Sequence, residues 1–217
     1  MCRVRVVPRW ALLSAALAPV LLIGGWTLAA ARQPGGFDQV AATISALAAR
    51  DAADRWIMTV ALLGLGLCHC VTAAGLRPLR PAGRLMLALG GVATVAVAAF
   101  PLPAERGSST PHGLAAAVAF GALAVWPAFA AGSRRAPGRV TGVTPAAGTA
   151  CAALLLVLVG WFVLELVVGG PRIGLSERVA AGAQALCPLL VAVTLDRGRR
   201  AAGGSPGPRP HAERAAG

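Results

Sequence analysis

"WALLSAALAPVLLIGGWTLAAA", residues 10–31, runs for 22 positions without a charged side chain. As a helix rising 1.5 Å per residue it reaches about 33 Å, enough to cross a hydrocarbon core of about 30 Å. Comparable apolar runs follow at about 56–76, 83–100, 113–132, 146–169 and 177–195. Pro or Gly punctuates the connections, as at Pro34-Gly35-Gly36, Pro101, Pro103, Pro137-Gly138 and Gly169-Gly170-Pro171. The chain is 57% hydrophobic and 13% charged, whereas a soluble domain carries roughly a quarter charged residues. The expected fold is all-α, a six-transmembrane-helix bundle over residues 1–195. Residues 196–217, "DRGRRAAGGSPGPRPHAERAAG", lack apolar periodicity and read as a disordered basic tail.

The net charge is +12 and every basic residue is Arg; Lys, Asn and Tyr are absent. Their codons are AT-rich, so the gap marks a high-GC bacterial genome. Nucleic-acid binding is not expected, because the arginines sit in short loops between apolar runs instead of clustering on a soluble face. Fourteen lie in the two tails and the second and fourth connections, and six lie on the other side. The positive-inside rule makes the fourteen-arginine side cytoplasmic, with both termini, in a bacterial plasma membrane. Asp38, Asp51, Asp54, Glu105 and Glu177 then fall outside. Arg3, Arg5 and Arg9 before an apolar run ending "LAAARQ" also allow a cleaved signal, although the run exceeds the usual 7–15 residues of a signal core.

Between the first two spans lies "FDQVAATISALAARDAADRW", residues 37–56. Phe37, Val40, Ile44 and Leu47 share one helical face, which predicts a short outer amphipathic helix over 38–49, hinged at Gly35-Gly36. Asp54 is placed to cap the second span, and Trp56 to sit at headgroup level.

This stretch, with "LGLCHCVTAAGLRPLRPAGR", "LGGVATVAVAAFPLP" and "PHGLAAAVAF", resembles the bacterial family called domain of unknown function 998 (DUF998), over about residues 11–195. The resemblance implies six spans and makes the loop a defining feature. It brings no established activity.

Ionisable residues at membrane depth suggest function. His69 lies in the inner half of the second span, where a neutral imidazole bonded to a hydroxyl or carbonyl competes with a ligand or proton role. Cys68 and Cys70 flank it, but residues two apart on a helix point about 200° from each other, so no metal is expected. The remaining cysteines read as packing residues, without a disulfide framework. Asp38, Thr43, Ser45, His112 and Glu165 form the candidate outer pocket, with Glu165 expected to pair with Arg172, Arg178 or Arg55. A haem between His69 and His112 fails on depth, roughly 20 Å apart, and no cofactor is expected.

These features favour a non-enzymatic membrane protein that binds or passes a lipid or small hydrophobic solute. One alternative is a membrane-embedded hydrolase or transferase using Ser45, His112 and Asp38 or Glu165. Another is a proton-coupled transporter using His69 and Glu165. Membrane lipids are the expected partners. The topology has a direct check: a reporter active only outside the cell should be silent at residue 217 and active near residue 106. Activity at 217 contradicts the assignment.

Overall fold

The computed structural model describes residues 7–132, 134–136, 139–141 and 143–202, the main chain alone at 134–136, 139–141 and 198–202. Six helices are each long and apolar enough to cross a membrane. They are α1 Arg9–Ala31, α2 Trp56–Gly75, α3 Pro81–Ala99, α4 Thr110–Ala130, α5 Pro145–Val168 and α6 Ile173–Ala202. β1 Arg134–Ala136 and β2 Arg139–Thr141 pair antiparallel between α4 and α5, with Arg135 opposite Val140.

Local chemistry sets the ends. Pro occupies the first turn of α3, α4 and α5, where its missing N–H leaves no bond unmade. Ser109 caps α4 by accepting from the His112 N–H, and Thr144 caps α5 by accepting from Ala147. Gly169, at φ 63°, closes α5 in the left-handed conformation. α6 begins only four residues later, at Ile173, and extends through Ala202. It therefore takes in residues 196–202, expected as part of the tail. Ala and Arg favour the helix there, and Gly203-Gly204 follow; residues 203–217 lie outside the described residues.

Each helix packs on its neighbours in sequence, and α6 returns to α1, so the six close into a ring. Leu22, Leu47, Met58 and Leu65 fill the half of the core nearer the 37–56 loop. Leu76, Leu87, Trp126 and Leu155 fill the half nearer the termini. Large apolar side chains such as Leu154, Val157 and Val167 of α5 point outward, as surfaces facing lipid do. The Cys151 and Cys187 thiols meet at 3.2 Å between α5 and α6.

Between α2 and α3 the backbones nearly touch. A β-carbon on Gly66 would lie 2.5 Å from the Gly91 carbonyl oxygen, and one on Gly91 would lie 2.6 Å from that of Gly66. In a membrane, where lipid is as apolar as Leu, such close approach is a main source of helix association. Gly91→Ala should therefore destabilise the protein by roughly 1–3 kcal/mol in a detergent melt. Gly121→Ala, which meets nothing within 4 Å, should leave the melt unchanged or raise it. Equal effects would remove the close-packing explanation.

Candidate functional site

The expected outer helix contracts to one 3-10 turn, Ser45–Ala48. Residues 38–42 instead form a turn, in which Asp38 Oδ1 accepts the N–H groups of Val40 and Ala41 at 2.8 and 3.2 Å. Thr43 Oγ1 accepts the Ala46 N–H at 3.1 Å. Asp38 and Thr43 are thus local caps of the loop. The apolar stripe is only partly used: Ile44 and Leu47 are 3% and 0% exposed, but Val40 is 46% exposed. The turn at 38–42 breaks the helical spacing that would have put Val40 inward.

The loop is held down by the second turn of α6. Glu177 Oε2 accepts the Ile44 N–H, and Glu177 Oε1 lies 3.3 Å from Ser45 Oγ. Arg178 Nη1 donates to the carbonyls of Gln39 at 2.8 Å, Ala42 at 2.7 Å and Gly174 at 3.0 Å. The guanidinium lies 6.0 Å from the Trp26 ring centre and 5.7 Å from that of Phe37, within cation–π range. The Leu175 N–H donates to the Val40 carbonyl. Gly174 lets the chain approach this closely, since a β-carbon there would collide with Ala42. One acid takes the Ile44 N–H and one base takes the Gln39 and Ala42 carbonyls, so these main-chain groups find partners.

Ser45 also meets His112. His112 Nε2 is 3.1 Å from Ser45 Oγ, and Nδ1 is 2.9 Å from the Phe100 carbonyl oxygen. A carbonyl only accepts, so Nδ1 carries the hydrogen there. The order across the site is therefore Phe100 carbonyl, His112, Ser45, Glu177. Two of the five expected pocket residues, Ser45 and His112, come together, and their acid is Glu177.

Glu165 lies elsewhere. Its carboxylate accepts from the Trp161 indole at 3.3 Å and the Arg172 main-chain N–H at 3.1 Å. The expected guanidinium partner is replaced by main chain, because the Gly169-Gly170-Pro171 turn brings residue 172 back to the helix end. Arg178 is committed to the loop. Asp54 does not cap α2 either: at φ 49° its side chain turns away from the helix start. It accepts from the Trp56 indole at 3.2 Å and lies 3.4 Å from exposed Arg32.

Below this cluster, inside the ring, is a chamber of about 60 Å³. Ser45 and Glu177 line it, as do His69 and Gln184 farther along α2 and α6 from the loop, with Leu65, Val97 and Phe120 among the apolar walls. His69 is 1% exposed, and neither ring nitrogen has a partner among the described residues. The hydrogen bond expected for it is missing; the Ser14 hydroxyl donates to the Cys68 carbonyl at 2.9 Å and that of Thr94 to the Gly90 carbonyl at 2.8 Å. Cys70 Sγ faces the Ala88 carbonyl at 3.6 Å and Cys68 packs in the core.

Glu177 was the residue missed by sequence. Its signal is the spacing Glu177, Ala181, Gln184, 4 then 3 apart, all of which line the chamber.

If α6 clamps the loop, cysteines at 40 and 50 should label readily with an impermeant thiol reagent in an otherwise unreactive background. Cysteines at 44 and 47 should label slower by about tenfold or more, since they react only after local opening. Arg178→Met should bring 44 and 47 up toward the rate at 40. Fast labelling at 44 with Arg178 intact would contradict the clamp.

Comparison with curated proteins finds no match, and comparison with solved structures finds none either. The family model described as "Protein of unknown function (DUF998)" matches residues 16–194. The match covers most of the chain and includes the loop, His69, His112 and the Glu177–Arg178 pair, so this multi-pass membrane protein belongs to the DUF998 family.

Proposed function

We propose that the protein binds, and passes across part of the membrane, a small solute with an apolar body and a polar end, in the chamber beneath the 38–49 loop. The observation that carries this reading is the chamber itself. Its walls are largely apolar, with Ser45, Thr94, Glu177 and Gln184 among them, and His69 brings two buried ring nitrogens without partners among the described residues. Buried polar groups almost always find a partner, so this imidazole points to a polar occupant.

Volume restricts the occupant. About 60 Å³ suits a few waters, and is well below the roughly 150 Å³ that admits benzene in an engineered apolar cavity. A larger solute needs the loop displaced, and the Gly35-Gly36 pair, at φ 79° and 90°, is placed to hinge it. A hollow of about 330 Å³ between α1 and α6, lined by Leu12, Leu13, Leu189 and Val193 beside Asp196 and Arg197, is a separate space in which a bilayer lipid would rest.

The hydrolase reading loses support from the order of the groups. A Ser-His-acid triad needs its carboxylate on the imidazole nitrogen remote from the serine. Here the Phe100 carbonyl occupies that position and the carboxylate sits on the serine. The relay of His69 with Glu165 loses support because Glu165 is bonded at the α5–α6 turn and does not line the chamber.

Filling the chamber tests the proposal. Ala119, a lining residue that is 6% exposed, should tolerate Leu with a stability change within about 1–3 kcal/mol. Ala119→Leu should strip a small molecule that co-purifies in mild detergent and is detected by mass spectrometry, while lipid-facing Leu154→Ala should retain it. Identical small-molecule content in both variants and the parent would overturn the chamber as the binding place.

A further inference from the structure

His112, Ser45 and Glu177 are joined by two polar contacts, and the proton count that satisfies them is restricted. Nδ1–H of His112 is committed to the Phe100 carbonyl, and Glu177 Oε2 to the Ile44 N–H. What remains is the path Nε2, Oγ, Oε1, with steps of 3.1 and 3.3 Å and one hydroxyl hydrogen in its middle. With one further proton, both steps are made in either of two ways. An imidazolium donates to Ser45, which donates to a carboxylate; or a carboxylic acid donates to Ser45, which donates to a neutral imidazole. The two forms interconvert by moving one proton across each bond, and the trio is neutral in both.

Any other count is worse. With that proton removed, the imidazole nitrogen and the carboxylate oxygen compete for the single hydroxyl hydrogen, and one contact becomes a repulsion between lone pairs. With a second proton added, the trio carries a positive charge beside Arg178, which is itself 8% exposed. Water screens such a pair poorly. We propose that His112, Ser45 and Glu177 form a one-proton binding site that latches the 38–49 loop over the chamber, so that opening to the solute is linked to gain or loss of a proton. This rests on the loop being the chamber's cover, and it deepens that reading by adding a proton as the second ligand.

The surroundings contain few competing titratable groups. On α6, Arg178 is held by loop carbonyls; in the loop, Asp38 is capped locally and interacts electrostatically with Arg178. His69 also lines the chamber, farther along α2. α1 and α3 present Leu22, Thr94 and Val97 there, and α4 presents Ala116 and Phe120, none of which titrates.

The test needs no solute. A nitroxide on Val40→Cys, an exposed position, in a Cys2→Ser background reconstituted in lipid nanodiscs, reports loop mobility from its spectral line shape. Mobility should be lowest at an intermediate pH and rise at least about twofold toward both ends of roughly pH 4–10, a range bracketing carboxylate and imidazole titration. Glu177→Gln mimics the neutral acid, since its carboxamide donates to Ser45, so it should lose the alkaline rise and keep the acid rise. His112→Gln, whose amide can donate or accept, should flatten the profile, and Ser45→Ala should leave the loop mobile throughout. A flat parent profile, an alkaline rise surviving in Glu177→Gln, or a two-sided profile surviving in His112→Gln would overturn the one-proton latch. Because the readout is loop motion alone, its failure is separable from loss of small-molecule retention in Ala119→Leu.

Discussion

The structure turns on one local constraint: a segment of irregular main chain, buried at Ile44 and from Ala46 to Ala49, lies against the end of a helix bundle. Each buried N–H and carbonyl left without a partner costs about 1–3 kcal/mol, so the loop can pack down only where something supplies partners. Glu177 and Arg178 do so from adjacent positions on α6, one as acceptor and one as donor. The same two groups would be expensive to bury alone. Their attachment to the loop, with Trp26 and Phe37 near the guanidinium, offsets part of that cost, while Arg178 Nε and Nη2 have no partner among the described residues.

The rest of the bundle is built on a different principle. Lipid-exposed faces carry large apolar side chains, and the helix contacts rely on small residues, as at Gly66 with Gly91. Such a ring leaves little interior space, and the chamber survives because its walls include Ala116 and Ala119 as well as larger residues. Its polar lining is a consequence of the two features together. The loop clamp brings Ser45 and Glu177 to the chamber, and His69, without a partner among the described residues, lies farther along α2.

Much of the architecture was legible in the sequence. Uninterrupted apolar length fixes a membrane helix, because no alternative backbone satisfies its hydrogen bonds in hydrocarbon, and five of the spans begin within a few residues of where composition placed them. α6 starts at Ile173, four residues before the expected 177. That shift moves Glu177 from the outer edge of the span into its second turn, on the face that lines the chamber. Ser45 and His112 were readable as neighbours because both sit at helix starts on one side of the membrane. Glu165 was not readable as remote, since depth alone does not say which way a helix turns a side chain. Val40 and Asp54 were misplaced for backbone reasons: a capped turn at 38–42 interrupts the helical phase, and a positive φ at 54 rotates the carboxylate from the helix it precedes.

Amide hydrogen exchange at Ile44 and Leu175 tests the clamp most directly, because each N–H crosses the loop–α6 junction, to Glu177 and to the Val40 carbonyl respectively. Both amides should be strongly protected in the folded protein in nanodiscs, and both should lose protection together in Arg178→Met while amides in the middle of α2 and α3 keep theirs. Exchange at Ile44 as rapid as at the exposed Gly35-Gly36 turn in the unaltered protein would show that the loop is not held by α6.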